Sequence, residues 1–479
     1  MGRIRTRRSS RAALAVVVLA AGEGKRLRSR RPKVMHEVGG KPMVAHVVDL
    51  TAALRPERTI VVIGRGADSV RALLEGRATC VVQEPRLGTG HAVAQAKSAL
   101  VGFRGQVLVL CGDVPLLRAA TLRRLVARHR RVGADATVLS MIADDPTGYG
   151  RIVRGPGSDL RIVEHLDATH DERAIDEVNS GTYCFDAGFL LRSLGKLGRT
   201  NAQKEYYLTD LIAMAAAKGA AACEVLRDPD EGLGVNSRLD LARVELALQR
   251  RLVADWMDKG VTFLDPDSAY LGPDVRLAPD VVIGPSVVLL GRTRIGEGAR
   301  LDGASWLNDT SVDRDAWLRW GVVADDARIA RGARVGPYAH LRPGAELGES
   351  VHIGNFVEVK NSKIGPFSKA NHLTYIGDTD VGRDANIGAG TITCNYDGFR
   401  KHRTVIGDRV QIGSDTQLVA PVSLGADSYV AAGSTVNRDV PAGALVFNDK
   451  KQMIRPDWVE GFRARARSAA SPRKRRRKE

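Results

Sequence analysis

Residues 271–307 read LGPDVRLAPDVVIGPSVVLLGRTRIGEGARLDGASWL, and the spacing of the aliphatics here decides the architecture of half the chain. Leu271, Leu277, Ile283, Leu289, Ile295, Leu301 and Leu307 stand six residues apart. Four positions after each comes a small or β-branched residue: Val275, Val281, Val287, Thr293, Ala299, Ser305, Ser311. The register restarts with Val323, Ile329, Val335, Leu341, Leu347, Ile353 and Val359, then runs through Ile364, Ala370, Ile376, Val381, Ile387 and Thr393. It ends with Ile406, Ile412, Leu418, Leu424, Val430 and Val436. A hexapeptide period of this length predicts a left-handed parallel β-helix, three hexapeptides to a coil, with aliphatics stacked inward and small residues at the corners. The long step from Thr393 to Ile406 leaves Cys394–Thr404 as an excursion off the coil faces. An inserted loop on a regular solenoid is where function is expected.

Upstream the period changes. Leu239, Leu246 and Val253, with Leu241 and Leu248 beside them, predict one helix that stops at Gly260. Before it, β-rich runs at Leu14–Leu19, Thr59–Ile63, Cys80–Gln83, Val107–Cys111 and Thr137–Met141 alternate with helical stretches at Met43–Leu54, Ser69–Leu74, Thr89–Leu100 and Ala119–Arg130. That alternation predicts a Rossmann-like, doubly wound parallel sheet, with ligands beyond the carboxyl ends of its strands. The expected organisation is a basic tail over 1–11, a nucleotidyltransferase domain over 12–237, a linker helix over 238–260, the β-helix over 261–452 and a disordered basic tail over 453–479.

With 479 residues, 44% hydrophobic, the chain is long enough for more than one core. The formal charge of +17 resembles a nucleic-acid signature until it is located. Arg3, Arg5, Arg7, Arg8 and Arg11 contribute five charges, and residues 461–479 carry nine Lys/Arg against one Glu, so the tails hold 13 and the rest only +4. Such tails attract polyanions without specificity, and no specific nucleic-acid role is expected. Cys80, Cys111, Cys184, Cys223 and Cys394 are scattered without CxxC spacing, which fits reduced thiols in a cytoplasmic protein. Arg7-Arg8 followed by the apolar run 12–21 mimics a secretory signal. The glycine loop and charges that follow at once favour a buried strand, and no other run is long enough to span a bilayer.

Chemistry clusters at strand ends. Leu19-Ala20-Ala21-Gly22-Glu23-Gly24-Lys25-Arg26 follows a strand, and its small residues let backbone N–H groups approach a base and phosphates. With Arg26 and Lys33 in reach it forms a polyphosphate site, lacking the Gly-Lys-Ser/Thr of a P-loop. Gln83 ends a strand and Gly88-Thr89 opens a helix. Asp113 follows Cys111-Gly112 at another strand end, and Asn236 offers a second hard oxygen for Mg²⁺ on a nucleotide.

These pieces resemble the sugar-nucleotide pyrophosphorylases. Asp145-Pro146-Thr147-Gly148-Tyr149-Gly150-Arg151, Glu177-Val178-Asn179-Ser180-Gly181 and Glu205-Tyr206-Tyr207-Leu208-Thr209-Asp210 point to the N-acetylglucosamine-1-phosphate branch. In the second half, His340-Leu341-Arg342-Pro343-Gly344, Asn355-Phe356-Val357-Glu358, His372-Leu373-Thr374-Tyr375 and Gly388-Ala389-Gly390-Thr391-Ile392-Thr393-Cys394-Asn395-Tyr396 follow in order. The whole resembles the family of bifunctional bacterial uridylyltransferase/acetyltransferases that make UDP-N-acetylglucosamine for peptidoglycan and lipopolysaccharide.

The resemblance implies that Leu19, Ala20, Ala21, Gly22, Gln83, Gly88 and Thr89 hold uridine and its phosphates, with Arg26 and Lys33 on the phosphates. It implies Asp113 and Asn236 as Mg²⁺ ligands, and Gly150, Glu164 and Asn179 against the sugar. In the β-helix it implies His372 as the base that deprotonates the sugar amine. Arg342, Lys360, Tyr375 and Asn386 are implied for glucosamine phosphate, and Ala389, Asn395, Tyr396, Ser414 and Ala432 for acetyl-CoA. The substrates implied are glucosamine 1-phosphate, N-acetylglucosamine 1-phosphate, UTP and acetyl-CoA, and the assembly a homotrimer. The sequence departs from the family pattern at Lys25, Cys111 and Asn371, and Asp449 stands where an arginine near CoA is expected, followed by Lys450 and Lys451. An alternative is a uridylyltransferase whose β-helix serves only as a trimerising scaffold.

Overall fold

The computed structural model describes residues 13–64, 67–156, 159–449 and 451–470. The basic stretches 1–11 and 471–479, and Lys450, lie outside the described residues. The chain divides into two compact units between Asp326 and Ala327. The linker helix and the first coils therefore belong with the nucleotidyltransferase fold. The reason is packing: Val244 and Leu248 of helix Arg238–Met257 share a core with Leu27, Val38, Met43, Leu116 and Val235. Glu245 accepts from the Gly39 N–H, and Gln249 exchanges two hydrogen bonds with the Leu271 backbone. This helix is part of a core, where the sequence suggests only an arm.

The sheet of the first unit runs Ala221–Val225, Ala136–Ile142, Glu177–Asp186, Gln106–Cys111, Leu14–Ala20, Arg58–Gly64, Thr79–Gln83. Leu14–Ala20 sits at its centre, parallel to both neighbours, which settles it as a strand. Its side chains alternate between two cores, Ala15 and Val17 into one, Val16, Val18 and Ala20 into the other. Burial on both faces explains why the strand reads as an unbroken apolar run. The alternation predicts a parallel sheet, and the sheet is instead mixed. Glu177–Asp186 inserts antiparallel between Gln106–Cys111 and Ala136–Ile142. Its start carries polar residues toward the site, so it reads as a motif instead of a strand.

The hexapeptide region forms stacked parallel strands of two to four residues in both units, the left-handed β-helix predicted. In the first unit the register is Leu271↔Leu289↔Leu307↔Ala324 on one face. Here the coil departs from the strict period. After Leu307 the next inward residues are Val312, Leu318 and Ala324, all buried, while Val323 and Ser311 point outward and Thr310 takes the corner. A five-residue step shifts the inward position by one, and Ala324 fills it despite its size. In the second unit Ile353↔Ala370↔Ile387↔Ile412↔Val430 stack without a slip. The excursion leaves after Ile392–Cys394, turns as a hairpin with Tyr396 opposite Lys401, and returns at Thr404–Ile406.

Trp458–Ala470 is a helix, where the missing period suggested disorder for the whole tail. Loss of the hexapeptide repeat excludes a coil but not a helix. Alanine and arginine favour helix, and Trp458 stacks on Phe462 one turn away at 5.2 Å and 10°. Among the described residues, no helix is long and apolar enough to cross a membrane.

Candidate active sites

In the first unit the glycine loop, the strand ends and the start of the linker helix converge on Lys33. Gly24 has φ +67°, and a Cβ there would lie 2.8 Å from the Cβ of Lys33, so the loop closes against the lysine stem only as glycine. Lys33 is buried, and its Nζ lies 2.5 Å from the Asp113 carboxylate and donates to Asn236 Oδ1 at 2.7 Å. Backbone pairing sets the last two side by side, since Val235 N–H donates to Asp113 O at 3.0 Å. The linker helix fixes Asn236 from the other side. Ser237 and Asp240 form a capping box, and Asp240 Oδ2 also accepts from the Asn236 N–H. Two hard oxygens aimed at one buried cation fit a divalent metal whose remaining ligands come from phosphates. Among the described residues no group of three His, Cys, Asp or Glu could cage a metal without such help.

The other predicted residues of this half ring the same strand ends. Leu19 O accepts from Gly112 N–H, Ala20 and Ala21 are buried, and Gly22 and Arg26 are exposed. Glu23 ion-pairs with Arg86, tying the glycine loop to the turn after Gln83; its carboxyl is held below the usual range by Lys25 and Arg86. Gln83 is buried, donating to Gly88 O at 3.0 Å and meeting His91 Nδ1 at 3.2 Å. Thr89 Oγ1 accepts from Leu208 N–H, and Gly90 N–H donates to Tyr206 O.

The Glu205–Asp210 motif thus docks on the Gly88-Thr89 turn, and Thr209 donates onward to Glu164 Oε1 at 3.3 Å. Gly150 packs against Ile162 and Glu164, and its carbonyl accepts from the Asn179 N–H at 2.8 Å. Asn179 Nδ2 bonds the Tyr183 hydroxyl. Burial pushes the Glu164 carboxyl up; the Thr209 hydroxyl opposes this, and Asp167 and Asp210 reinforce it. Burial also drives the Cys111 thiol to about 12, an unreactive packing group beside Gly181.

In the second unit two neighbouring tracts carry the predicted residues. Residues two positions beyond the inward aliphatics Ile353, Ala370, Ile387, Ile412 and Val430 are Asn355, His372, Ala389, Ser414 and Ala432. They form one column along a corner, so His372 and three predicted acetyl-CoA residues share a line. His372 Nδ1 lies 2.8 Å from Asn355 Oδ1. An amide oxygen only accepts, so Nδ1 carries a proton in this pairing and Nε2 is the nitrogen that can exchange one. Next along the corner come Tyr338, Phe356 and Leu373, exposed, with left-handed φ; Tyr338 stacks on Phe356 at 5.6 Å and 7°.

The other tract gathers Arg342, Lys360, Tyr375 and Asn395 around a buried carboxylate, Asp378. Asp378 accepts from Asn361 Nδ2 and Asn395 Nδ2, each at 2.5 Å, and lies 3.8 Å from Lys360 Nζ. Burial pushes its carboxyl up, but these amides and the Lys360 ammonium hold it below the usual carboxylate range. Arg342 donates to Glu358 at 2.8 Å, and Tyr375 OH lies 3.4 Å from Asn395 Nδ2. Lys401, from the excursion, is held below the usual lysine range by the Lys360 ammonium beside it. Asn395 therefore joins the residues predicted for glucosamine phosphate rather than the corner column. Tyr396 is exposed on the hairpin, and Asn386 stands half-buried in register with Lys369 and Gln411. Asn355 and Asp378 were outside the predicted set. Their signal was spacing, since Asn355 precedes His372 by one coil of 17 residues and Asp378 follows Asn361 by the same interval.

A nucleotide-binding sheet with cations and hard oxygens at its strand ends, joined to a hexapeptide β-helix with a histidine on its corner, defines a two-domain transferase. A family model described as a MobA-like NTP transferase domain matches residues 16–177, and one for bacterial transferase hexapeptide repeats matches 326–361 and 403–438. The bifunctional protein GlmU of Pelobacter propionicus is 47% identical over 449 residues, covering 93% of this chain and 98% of that protein. Those of Halalkalibacterium halodurans (46%; 92% and 98% covered) and Geobacter sulfurreducens (45%; 93% and 98% covered) are comparably similar. The chain belongs to the GlmU family of bifunctional enzymes.

Proposed function

We propose that the chain carries out two successive transfers, acetyl transfer on residues 261–452 and then uridylyl transfer on residues 12–237. Glucosamine 1-phosphate is first N-acetylated from acetyl-CoA; the product then attacks the α-phosphate of UTP, giving UDP-N-acetylglucosamine and pyrophosphate. The observation that carries this reading is the pair of sites, a buried Lys33 held by half-buried Asp113 and Asn236, and a His372 whose Nδ1 is held by Asn355.

At the first site the nucleophile is a phosphate oxygen, already anionic, so positioning and charge neutralisation suffice and no base is required. Lys33 and Arg26 neutralise phosphate charge. Leu19, Ala20, Ala21, Gly22, Gln83, Gly88 and Thr89 form the uridine and phosphate bed, and Gly150, Glu164 and Asn179 face the sugar. Asp113 and Asn236 would hold Mg²⁺, which supplies charge stabilisation to the phosphates.

At the second site the sugar amine loses its proton to His372 Nε2 and attacks the thioester, forming the amide N–C bond as the CoA thiolate leaves. Asn355 holds the histidine tautomer. Arg342, Lys360, Tyr375 and Asn386 bind the sugar phosphate with Asn395 beside them, while Ala389, Tyr396, Ser414 and Ala432 line the CoA site. The enzyme is a cytoplasmic homotrimer, a state supported by the exposed aromatic column of Tyr338 and Phe356.

A split assay tests this. Thiol release from acetyl-CoA with glucosamine 1-phosphate, and pyrophosphate release from UTP with N-acetylglucosamine 1-phosphate and Mg²⁺, are both expected. Asp449, an acid where the family resemblance calls for arginine, favours the scaffold alternative; pyrophosphate without thiol would establish it.

A further inference from the structure

The Gln83 amide is held so that only its oxygen is left for a ligand, and the residue that completes the hold is His91. Gln83 closes the strand Thr79–Gln83 and is 4% exposed. Its Nε2 donates one hydrogen to Gly88 O at 3.0 Å and lies 3.2 Å from His91 Nδ1. A carbonyl oxygen only accepts, so the amide must face Gly88 with its nitrogen. The second N–H then meets His91 Nδ1, which can accept it only as the bare nitrogen of a neutral ring. The ring proton sits on Nε2, 3.0 Å from the amide of half-buried Gln95, whose oxygen is the atom that can take it. None of the described residues donates to Gln83 Oε1.

The imidazole is itself held in place. Its ring stacks on Tyr206 at 6.2 Å and 28°, and the Arg199 guanidinium lies 5.4 Å over the Tyr206 ring. Tyr206 is fixed by its backbone, donating to Leu87 O and accepting from Gly90 N–H, each at 2.8 Å. Resting on the reading that Gln83 faces the uridine base, the geometry points to His91 as the positioning residue that makes this site select uracil over cytosine. Uracil offers an N–H at position 3 between two carbonyl oxygens, whereas cytosine offers a bare N3 beside an amino group. An amide fixed with its oxygen outward accepts from the first and opposes the second; an amide free to turn serves both. Gly88 O holds one N–H and leaves the amide able to swing about that bond. His91 Nδ1 holds the other and removes the swing.

The test compares kcat/KM for UTP and CTP on the full chain, by pyrophosphate release with N-acetylglucosamine 1-phosphate and Mg²⁺. His91→Phe keeps a ring against Tyr206 and removes the acceptor. Its preference for UTP over CTP should fall at least about 10-fold, the worth of one buried hydrogen bond. The loss should lie in the KM for UTP, with kcat within about 2-fold. His91→Asn, whose Oδ1 can stand where Nδ1 stood, should recover the preference to within about 3-fold of wild type. A second readout needs no variant to fold well: ¹⁵N shifts of the wild-type imidazole should show His91 with Nδ1 bare and Nε2 protonated. A proton on Nδ1 overturns the inference. So does an equal loss toward both nucleotides in His91→Phe, or no recovery in His91→Asn, either of which makes the ring a packing element. Gln83→Ala separates the two readings. A preference that collapses there but survives His91→Phe overturns the role of His91 and leaves Gln83 on the base. A preference unchanged in both removes Gln83 from the base, and the role of His91 falls with it.

Discussion

The two sites are built in opposite ways. The first gathers residues from distant stretches: Lys33 meets Asn236 across 203 positions, through a glycine loop, a strand end and a helix cap. The second is assembled by repetition, so that Asn355 reaches His372, and Asp378 reaches Asn361 and Asn395, across intervals of 17 residues. One depends on a fold-wide convergence that any mispacking disturbs. The other depends on a period, and tolerates change wherever the period survives.

The sharpest way to break this contrast is to disable each site alone. Asp113→Ala should lower uridylyl transfer by about 10³-fold or more while leaving thiol release from acetyl-CoA intact, because it removes the partner of a buried ammonium and, on the proposed reading, a ligand of Mg²⁺. His372→Ala should lower acetyl transfer by roughly 10²- to 10⁴-fold and spare pyrophosphate release. Either variant abolishing both signals would show that the two constructions are not independent.

Asp378 sharpens the comparison within the repeat. Asp378→Asn keeps the shape but removes the charge that orients Lys360 and Asn395. The KM for glucosamine 1-phosphate should rise about 10-fold with a smaller change in kcat, a split that general loss of folding would not produce.

Convergence also makes the first unit sensitive to backbone detail. Gly88 has φ +99°, and a Cβ there would lie 2.7 Å from Tyr206 O. Gly88→Ala should therefore cost about 2 kcal/mol in a denaturant titration and weaken uridylyl transfer before acetyl transfer.

The smallest effect is one of pH. Burial lowers His129, beside Thr137, to about 4. The unfolded chain takes the proton near 6.5 and the folded one only near 4, so stability is full above 6.5 and falls as pH drops toward 4. Between pH 7 and pH 5 the loss should be just under about 2 kcal/mol, and His129→Gln should remove it from the melting curve.

Legibility followed the same division. Every aliphatic from Ile329 onward that the period marks as inward is buried, because the repeat states its own geometry even across the five-residue steps at Val359–Ile364 and Ile376–Val381. The period misled only between Leu307 and Ile329, where the five-residue step to Val312 was not marked, so that Val323 looked inward and Ala324 did not. In the first unit the glycine loop, Lys33, Asp113 and Asn236 were readable as motifs, but their mutual contact was not, since no local pattern reports a distance across 203 residues. Glu177–Asp186 was hidden as a strand by the polar residues it delivers. Asp378 went unnoticed because an aspartate at a coil corner is ordinary, and only burial against a lysine distinguishes it. The tail helix was missed because its signal is a different period, which begins where the first one ends.

The corner column that carries His372 has one more consequence. Successive coils are separated by the strand spacing, about 4.8 Å, so His372, Ala389, Ser414 and Ala432 mark off three equal intervals, about 14 Å in all. The corner is a ruler, and an elongated molecule laid along it is measured in whole rungs. Removing one complete coil between His372 and Ala432 would leave every fold contact of the same kind in place and still shorten the gauge by a rung, turning a question of chemistry into one of length.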